Sequence, residues 1–541
     1  MAPWSPINPQ IVLCHGSCLR DGLVVSRFSG GGDWLERDKE GERWLIEERR
    51  RESLMVRKMM LGRTFSTSPK SFFTTKMNSS CEQKQNINVL LVTLSAQGHL
   101  NPILKLGKIL VNKGLHVTLA TTNSALKNMS SAPNSIGGVH HEFFSDGLPI
   151  DYNRKANMDY YMDTLSKFGP VNLLALIKSH PRKFACVIHT PFVPWVSDVA
   201  AEVSIPNAML WIQPSTLYQI YHRFYNHLDD FPTESNPDMS VKLPGLPVFH
   251  ADELPSFVLP SNTFRSFDSI LKQVFHNMHK VKWVLGNSFM ELEKDVIMSL
   301  NNGGCVFWPV GPLVPATLMG KEEDVSFDLF KSNEDSNCME WLNKQKPSSV
   351  VYVSFGTLLF LTEKDIKNIA SGLKTTKRPF LWVIRVPENQ ELPKHGFLEE
   401  IKEQGLIVSW CPQTQVLSHP AVGCFLSHCG WNSLLESVVA GTPVIACPQW
   451  TDQPTNAKLV TDVWGVGVKV KKSLDGVVSG EEVGRCVEEV MSGLKSEVIR
   501  KNALELKAAA RVALRDGGSS DNNIRMFVDE VVSSCSCTEH K

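Results

Sequence analysis

The sequence lacks three features, each of which would define a broad class of protein. It has no excess of either charge, because Lys and Arg together number 56 and Asp and Glu together also number 56. A balanced charge gives no net attraction to nucleic acids or anionic membranes. No apolar run is long enough to cross a bilayer. The 13 cysteines show no paired C-x-x-C spacing, so a zinc-ribbon protein is also disfavoured.

Several nucleotide-binding and metal-binding motifs are missing as well. The chain has no D-x-D metal motif and no Walker loop. Gly465-x-Gly467 lacks the rest of a dinucleotide fingerprint, which argues against a dehydrogenase with paired Rossmann domains. Without a clear secretory signal, the cysteines are interpreted as reduced thiols, and we expect a cytoplasmic protein. The length of 541 residues predicts two or more domains.

Residues 1–76 differ in composition from the rest of the chain. Asp33 to Arg63 is a dense mixture of charges, whereas Leu54 to Lys76 has no acidic residue and is rich in Lys, Arg, Ser and Thr. The second composition resembles an organelle transit segment, which would allow a plastid location. A gene-model extension with Met77 as the true start is the favoured interpretation. Disorder is expected under either interpretation.

The most informative stretch runs from Trp410 to Gln453. Val422 to Ser427 is a short apolar run typical of a buried strand, and Val444 to Cys447 is a second one. Between them, Asn432 and Ser433 open a helical pattern. The stretch therefore predicts a β-α-β unit. The free N–H groups and positive dipole end of such a helix can hold a diphosphate.

Single residues of this stretch allow two interpretations. Ser433-x-x-Glu436 is the pattern of a capping box, and most capping boxes only cap a helix. Alternatively, Ser433 bonds a phosphate and Glu436 accepts hydrogen bonds from a ribose diol. Trp410 and Trp431 are likewise either ligand contacts or core residues. The residue types alone leave both interpretations open.

The whole stretch resembles, nearly position for position, the signature box of plant secondary-product glycosyltransferases, the family 1 enzymes that use UDP-sugars. The resemblance implies an α/β protein of the GT-B fold, with two facing Rossmann-like domains and a cleft between them. It also implies metal-independent catalysis with UDP-glucose as co-substrate and no cofactor. By this resemblance Trp410 and Gln413 would hold the uracil, Glu436 the ribose, His428, Asn432 and Ser433 the diphosphate, and Trp431, Asp452 and Gln453 the sugar.

A second β-α-β pattern opens the domain before the box. Ile87 to Leu94 and His116 to Ala120 are predicted strands, and Ile103 to Val111 is a helical pattern between them. His99 is expected in the loop after the first strand, where active sites of α/β proteins gather. A lone histidine in a turn is more often structural. The G-H-x-N-P run around His99 nevertheless resembles the motif that carries the family's catalytic base.

The usual partner of that histidine is missing. Most of the family carries an orienting aspartate just after the strand that Phe184 to Ile188 matches, and here the position is Thr190. The nearest acids, Asp198 and Glu202, fall inside the next predicted helix. The His–Asp dyad is therefore in doubt. The predicted acceptor pocket consists of Thr190, Phe192 and Trp195.

The resemblance extends over residues 87–533 and suggests domain boundaries. Thr357, after the predicted strand Val350 to Ser354, would contact a phosphate, although a turn hydroxyl bonding its own backbone is the alternative. The predicted domains are an acceptor-binding domain at 87–312, a linker at 313–337, a UDP-sugar-binding domain at 338–515, and a helix within 516–533 that returns to the first domain.

These residues predict an inverting UDP-glucose-dependent glucosyltransferase of small metabolites, expected as a monomer. Three further stretches resemble a branch of the family that makes glucose esters of indole-3-acetic, hydroxycinnamic and benzoic acids, namely Phe143 to Pro149, Pro191 to Val196 and Leu243 to Pro247. Carboxylic acids are therefore the predicted acceptors. A phenolic or flavonoid O-glucosyltransferase is the first alternative. A non-catalytic sugar-nucleotide-binding protein is the second, and the presence of His99 argues against it.

Overall fold

The computed structural model describes residues 87–126, 135–154, 156–304, 306–320, 337–356, 361–384, 401, 403–473 and 476–536. Within these residues the chain forms two large sheets, one after the other along the sequence. The elements from β1 to β10 are called the N-terminal half below, and the elements from α7 to α13 the C-terminal half. Both halves lie within one compact unit.

The N-terminal half is built on an eight-stranded sheet in the order β10-β9-β6-β5-β1-β2-β4-β3. All neighbouring strands are parallel except the β3–β4 pair. The strands are β1 (Asn88–Thr93), β2 (His116–Thr122), β3 (Ser135–Ile136), β4 (Val139–Phe144), β5 (Cys186–His189), β6 (Asn207–Trp211), β9 (Trp283–Gly286) and β10 (Phe307–Pro309), with a separate hairpin of β7 (Val241–Lys242) and β8 (Val248–Phe249).

Six helices cover the two faces of this sheet. Most of the sheet strands are buried on both faces, which explains their nearly continuous apolar runs and the need for helices on both sides. The helices are α1 (Gln97–Asn112), α2 (Met158–Ser179), α3 (Val196–Glu202), α4 (Ser215–Tyr225), α5 (Arg265–His276) and α6 (Lys294–Asn302).

The C-terminal half is built on a six-stranded, fully parallel sheet in the order β13-β12-β11-β14-β15-β16. Its strands are β11 (Val350–Ser354), β12 (Phe380–Val383), β13 (Gly405–Val408), β14 (Val422–Ser427), β15 (Val444–Ala446) and β16 (Gly467–Lys469). Its helices are α7 (Cys338–Asn343), α8 (Glu363–Thr376), α9 (Gln413–Ser418), α10 (Trp431–Ala440), α11 (Gln453–Lys458), α12 (Gly480–Met491) and α13 (Ser496–Leu514).

Both sheets reverse their strand order at one place. In the C-terminal sheet the reversal lies between β11 and β14, and in the N-terminal sheet it lies between β1 and β5. Doubly wound sheets bind ligands in the crevice outside the carboxyl ends of the strands at such switch points. The predicted site residues His99 and Thr190 follow β1 and β5, and His428 follows β14. The topology therefore puts the predicted residues at the two switch points.

Helix α1 begins earlier than the sequence pattern predicted, and His99 lies in its first turn rather than in a loop. Pro102 suggested a helix start near Ile103, yet the helix runs through this proline. Proline has no N–H, so it cannot bond the carbonyl of Gly98 four residues earlier. That carbonyl instead accepts a hydrogen bond at 3.1 Å from Asn432 Nδ2, in the other half. The early start thus exposes a backbone acceptor to the C-terminal half.

The stretch from 212 to 300 contains several helices and is rich in aromatic residues. It forms α4, α5 and α6, and its aromatic residues pack into a core with β6 and β9. Trp211, Tyr218 and Phe275 contact one another with ring centroids at 5.4 to 6.0 Å. Most of the aromatic residues in this stretch are therefore core residues of the N-terminal half.

The predicted linker is described only at its two ends, because residues 321–336 lie outside the described residues. Leu313 is buried in the core of the N-terminal sheet, and Leu318, in the 3₁₀ turn Ala316–Met319, is buried in the core of the C-terminal sheet. The first residues after β10 thus already connect the two cores. The predicted extension at 1–76 also lies outside the described residues.

The last helix, α14 (Ser519–Ser536), packs in the core of the N-terminal half. Phe527 is 1% exposed and meets the ring of Trp283 edge-on at 5.3 Å. The Trp283 indole nitrogen donates to Glu530 Oε2 at 2.7 Å, and Asn523 donates to the Pro309 carbonyl at 2.7 Å. Because α14 follows directly after the C-terminal half, these contacts fasten the two halves at a second place. None of the described helices is long and apolar enough to span a membrane.

This packing predicts that Phe527 stabilises the protein through α14. Phe527→Ala removes a buried ring from a dense core, a change that costs about 3–5 kcal/mol of unfolding free energy. Met526→Ala on the same helix is the control, since Met526 is 48% exposed and should change stability by about 0.5 kcal/mol or less. Urea unfolding measures both. Equal midpoints for the two variants would contradict the assignment of α14 to this core.

Candidate active site

The two switch points meet across a cleft, and hydrogen bonds join them. Asn432 Nδ2 donates to the Gly98 carbonyl at 3.1 Å, which brings the first turns of α10 and α1 together. The indole nitrogen of Trp431 donates to the Asn287 carbonyl, after β9, at 2.8 Å. His99 is the residue after Gly98. The predicted catalytic residue therefore lies next to the predicted donor box, although 329 to 354 positions of sequence separate it from His428 to Gln453.

His99 is held on two sides by residues that follow β5. Its Nδ1 atom lies 3.4 Å from Thr190 Oγ1, and its ring centroid lies 4.8 Å from that of Phe192. Phe192 in turn contacts Phe267 of α5 at 5.3 Å. The position predicted for the missing aspartate is thus beside the histidine, with a hydroxyl in place of a carboxylate. No carboxylate in the described part of the chain is hydrogen-bonded to His99.

The surroundings of His99 favour the neutral imidazole. The His99 side chain is partly exposed to solvent, but protein atoms are densely packed around its ring. This burial lowers the pKa of His99 to about 3. The positive end of α1 acts in the same direction, because His99 lies in the first helical turn. A neutral ring carries one N–H and one lone pair, so at neutral pH it can either donate or accept a hydrogen bond toward the cleft.

Thr190 belongs to a fully buried pair of hydroxyls. Thr190 and Thr93 are both 0% exposed, and their Oγ1 atoms lie 2.9 Å apart. Thr93 is the last residue of β1 and Thr190 directly follows β5, so the two adjacent strands at the switch point each contribute a hydroxyl. Thr93 was not identified from the sequence. A hydroxyl at the carboxyl end of an otherwise apolar strand was the signal that could have identified it.

Three residues of the box form one hydrogen-bonded group. The amide nitrogen of Gln413, at the start of α9, donates to Ser433 Oγ at 3.0 Å and to Glu436 Oε2 at 2.7 Å. The Gln413 carbonyl oxygen accepts from the Tyr352 hydroxyl of β11 at 3.0 Å. Gln413 is therefore fixed in orientation, and Ser433, which accepts from it, retains a proton to donate elsewhere. Tyr352 was not identified from the sequence.

The capping-box interpretation of Ser433 and Glu436 is wrong. Helix α10 begins at Trp431 with Gly430 as its N-cap, and no side chain caps it. Ser433 is consequently the third helical residue and Glu436 lies almost a turn further on. The uncapped first turn leaves backbone N–H groups unpaired by side chains, as an anion-binding helix terminus requires.

His428 occupies a narrow slot between two glycines. A Cβ atom at Gly356 would approach His428 Nε2 to 2.7 Å, and one at Gly430 would approach it to 2.4 Å. Gly356 also has a φ of +76°, a conformation that favours glycine. Burial lowers the pKa of His428 to about 4, so the ring is neutral at pH 7. The glycines thus allow the imidazole to lie at the carboxyl end of β14.

Asp452 and Gln453 begin α11 and are largely buried, at 9% and 6% exposure. Asp452 accepts from Asn456 Nδ2 at 2.8 Å, and the same nitrogen donates to the Cys429 carbonyl at 2.9 Å. Burial raises the pKa of Asp452 above its usual range. The side-chain carbonyl of Gln453 accepts from the backbone of Gln449 at 2.9 Å. Asn456 therefore connects this pair to the loop that carries His428.

Two predicted ligand contacts are core residues. Trp431 is 4% exposed, and its indole packs in the core of the C-terminal half while bonding Asn287, so its side chain bridges the halves rather than facing a sugar. Trp195 is also 4% exposed and packs beneath α2. Trp410 lies half-buried between β13 and α9. Thr357 lies outside the described residues.

Comparison with known proteins gives a consistent result. Residues 319–510 match the family model for UDP-glucoronosyl and UDP-glucosyl transferases. The chain is 43% identical over 460 residues to UDP-glycosyltransferase 84B1 of Arabidopsis thaliana, covering 83% of this chain and 98% of that protein. The chain belongs to this family. Gallate 1-beta-glucosyltransferase 84A24 of Punica granatum is 39% identical over 464 residues, covering 82% of this chain and 89% of that protein.

Solved structures agree with the sequence relatives. Os79 from O. sativa in complex with UDP superposes with a TM-score of 0.75 at 33% identity, covering 82% of this chain and all of that one. UGT2 of Phytolacca americana, complexed with UDP-2fluoro-glucose and pterostilbene, gives a TM-score of 0.70 at 25% identity, with 82% and 99% coverage. The predicted GT-B fold and the predicted membership of the plant family 1 UDP-glycosyltransferases are confirmed, and the relatives named above assign the chain to the 84 branch of that family.

The residues predicted for the UDP-glycosyltransferase site thus lie in two groups, one from each half of the chain. The described residues contain no group of three or more His, Cys, Asp or Glu side chains that could hold a metal ion. A pocket beside the Asn432–Gly98 bond is lined by Lys105 and Lys108 of α1 and by Glu436 of α10. Burial lowers the pKa of Lys105 to about 8. Lysines near this cleft were not identified from the sequence.

Glu436 provides a direct test of the donor half-site. We expect Glu436→Ala to raise the Michaelis constant for the UDP-sugar roughly tenfold or more, because hydrogen bonds to a charged group contribute about 1.5–3 kcal/mol. Thermal stability should change little, since Glu436 does not cap α10. Glu497→Ala, an exposed change on α13, is the control. A stability loss without any change in the donor constant would contradict this role.

Acid stability provides a test of the buried histidines. The pKa values of His99, His189 and His428 are lowered to about 3, 4 and 4 by burial, whereas an unfolded histidine titrates near 6.5. The unfolded chain therefore binds more protons as the pH falls below 6.5, and stability is lost through this range.

Replacing one of these histidines should reduce the loss. We expect His99→Gln to lower the midpoint pH of acid unfolding, whereas the exposed His279→Gln should leave it unchanged. Circular dichroism during a pH titration measures both midpoints. If His99→Gln unfolds at the same pH as wild type, His99 is not held neutral by the fold.

Proposed function

We propose that the protein transfers glucose from UDP-glucose to a carboxylic acid with inversion, giving a 1-O-acyl glucose ester. The observation that carries the proposal is the partner of His99, which is the Thr190 hydroxyl at 3.4 Å instead of a carboxylate. A relative of 39% identity is named for gallate as acceptor and for position 1 of glucose, which supports the same chemistry.

The donor half-site suits a nucleoside diphosphate sugar. In the proposed arrangement Trp410 stacks on the uracil beside Gln413, and Glu436 accepts from the ribose hydroxyls. Ser433 keeps a donor proton because its oxygen accepts from Gln413, and Asn432 lies in the same first turn of α10. With His428 and the helix dipole, these donors would hold the diphosphate. They stabilise the negative charge that develops on the leaving UDP.

Asp452 and Gln453 are the proposed contacts to the hexose hydroxyls. Both lie at the start of α11, beyond the carboxyl end of β15, and Asn456 connects Asp452 to the loop next to the diphosphate donors. Trp431 is not included among the side-chain contacts, because its indole bonds Asn287. Its backbone N–H, at the first position of α10, remains with the anion-binding terminus.

A carboxylate acceptor needs no proton removed. Carboxylic acids titrate at a pKa of about 4, so at pH 7 the acceptor is already the nucleophile, whereas a phenol titrates near 10. One carboxylate oxygen attacks the anomeric carbon from the face opposite UDP, the bond from that carbon to the phosphate oxygen breaks, and UDP leaves with the electron pair. His99 then has to orient an anion, which a neutral ring can do by donating its N–H.

The Thr93–Thr190 pair favours this donor role. Buried hydroxyls that leave a proton unpaired cost about 1–3 kcal/mol. If Thr190 accepts from Thr93, its own proton can be donated to His99 Nδ1. Both hydroxyl protons of the Thr93–Thr190 pair then have an acceptor. If Thr190 instead donates to Thr93, the hydroxyl proton of Thr93 has no partner among the described residues. Acceptance at Nδ1 leaves the proton of the ring on Nε2 and available to an acceptor carboxylate.

Phenols remain the competing acceptors. A neutral His99 could take a phenol's proton, but its lowered pKa makes it a weak base, and no carboxylate within the described part of the chain strengthens it. The pocket wall of Phe192 and Phe267 accepts an aromatic ring from either class. Phenolic glucosides are therefore proposed as side products.

The acceptor class can be tested by changing Thr190. Aspartate can only accept a hydrogen bond, so Thr190→Asp should force the proton of His99 onto Nδ1 and make Nε2 a stronger base. We expect the ratio of kcat/KM for phenols to kcat/KM for benzoate, cinnamate and indole-3-acetate to rise at least roughly tenfold, the effect of a general base being about 10²–10⁴.

Thr190→Asn is the matched control, because it has the shape of aspartate without the charge. It should lower activity on both acceptor classes without favouring phenols. A wild-type enzyme that already prefers matched phenols would contradict the proposal. So would ester formation that improves in Thr190→Asp but not in Thr190→Asn.

A further inference from the structure

The N-terminal half reaches the donor-sugar residues through a short segment, 251–264, called the docking segment here. The backbone N–H of Ser256 donates to the Thr451 carbonyl at 2.9 Å, and the backbone N–H of Thr451 donates to Ser256 Oγ at 2.9 Å. Both backbone polar groups of Thr451 are thus paired with one residue of the other half. Such a reciprocal pair fixes the peptide groups on both sides of Thr451.

Thr451 is held in an unusual conformation. Its φ is +58°, in the left-handed region that glycine and asparagine tolerate and that β-branched residues rarely adopt. A strained residue of this kind persists only when its surroundings fix it. The two hydrogen bonds to Ser256 provide that fixation. Without them, Thr451 would gain by rotating toward a negative φ.

A rotation of the Thr451 backbone would displace the proposed sugar contacts Asp452 and Gln453. Thr451 directly precedes Asp452 and Gln453, and its hydroxyl donates to Asp452 Oδ1 at 2.8 Å. Both side chains are more than nine-tenths buried, so a change in the direction of the chain at Thr451 cannot be absorbed by free side-chain movement. The start of α11 therefore depends on the conformation of Thr451.

We propose that Ser256 is a positioning residue for donor-sugar recognition, which couples the N-terminal half to Asp452 and Gln453 by holding Thr451 in the left-handed conformation. The inference rests on the proposed function, which gives the hexose contacts to those two residues. It adds that the sugar site is complete only when the docking segment of the N-terminal half is seated on α11.

Neighbouring contacts seat the docking segment on both sides of Thr451. Phe264 packs against Trp450 at 4.8 Å between ring centroids. On the other side, the Glu253 carbonyl accepts from Thr455 Oγ1 at 2.7 Å, and its carboxylate pairs with Lys458 at 3.0 Å. These contacts dock the segment through the side chain of Trp450 and through side chains of α11. Ser256 differs from them in bonding the Thr451 backbone itself.

The coupling predicts a separation between sugar and nucleotide binding. The proposed nucleotide contacts Gln413, Glu436 and His428 lie in the C-terminal half and make no bond to Ser256. Loss of Ser256 should therefore weaken binding of UDP-glucose while leaving binding of UDP unchanged. A residue that merely stabilises the fold would alter both constants or neither.

The experiment compares Ser256→Ala with Ser261→Ala in the full chain. Ser261 is an exposed residue of the same docking segment and serves as the control. We expect Ser256→Ala to raise the Michaelis constant for UDP-glucose roughly five- to tenfold, the effect of losing one or two hydrogen bonds. The inhibition constant of UDP should stay within about twofold, and discrimination between UDP-glucose and UDP-galactose should fall.

A rescue variant tests the conformational part of the inference. Asparagine adopts the left-handed region more readily than threonine, so Thr451→Asn in the Ser256→Ala background should recover part of the lost affinity for UDP-glucose. If the double variant is no better than Ser256→Ala, the left-handed conformation of Thr451 is not what Ser256 maintains, and the inference is overturned.

Asp452→Asn separates failure of this inference from failure of the proposed function. If Asp452→Asn raises the Michaelis constant for UDP-glucose but Ser256→Ala behaves like Ser261→Ala, the coupling is refuted and the sugar contacts stand. If Asp452→Asn leaves that constant unchanged, the sugar contacts are refuted, and the coupling with them. Equal rises in the UDP-glucose and UDP constants of Ser256→Ala would assign Ser256 a general structural role and also refute the coupling.

Discussion

The active site depends on the meeting of two helix N-termini that belong to different sheets. Asn432 in the first turn of α10 bonds the carbonyl of Gly98 in the first turn of α1. That carbonyl is available because Pro102 cannot donate to it. His99 and the donor box are separated by more than 300 residues, so no local interaction could bring them together. Trp431, the docking segment and α14 hold the halves so that this contact persists.

The contact between the N-termini of α1 and α10 also determines the electrostatics of the cleft. Two positive helix ends face a space in which the histidines His99 and His428 are neutral, because burial lowers the pKa of each. A neutral donor set suits substrates that bring their own negative charge, as UDP-sugars and carboxylates both do. Lys105 and Lys108 at the edge of the cleft add positive charge without entering the first turns of the helices.

The sequence predicted the strands of both sheets well because apolar runs buried on both faces are unambiguous. Val350–Ser354 and Val422–Ser427 have the predicted bounds, and β1 (Asn88–Thr93) lies within the predicted strand Ile87 to Leu94. The start of α1 and the cap of α10 were predicted wrongly, because in each case a local sequence signal was misleading. Pro102 suggested a helix start inside α1, and Ser433 with Glu436 suggested a cap that Gly430 provides instead. Trp195 and Trp431 were predicted to contact ligands, because the sequence does not distinguish an exposed aromatic residue near a motif from a buried one.

Contacts between distant segments were the features that the sequence could not predict. The pairs Thr93–Thr190 and Ser256–Thr451 join residues 97 and 195 positions apart, so no local pattern indicates that the two members of either pair are in contact. The position of Thr190 was predictable only because the family places an aspartate there. Its consequence, a histidine whose partner can donate, required the position of Thr93.

Charge explains why a buried hydroxyl suits the proposed acceptor better than an aspartate would. Two unit negative charges about 6 Å apart repel by about 3 kcal/mol at an effective dielectric constant of about 20. An aspartate beside His99 would impose a repulsion of this order on an acceptor carboxylate. A more basic His99 would bring no advantage, because a carboxylate acceptor has no proton to lose. Thr190 removes the repulsion, and in the proposed arrangement, in which it accepts from Thr93, its own proton is available to His99.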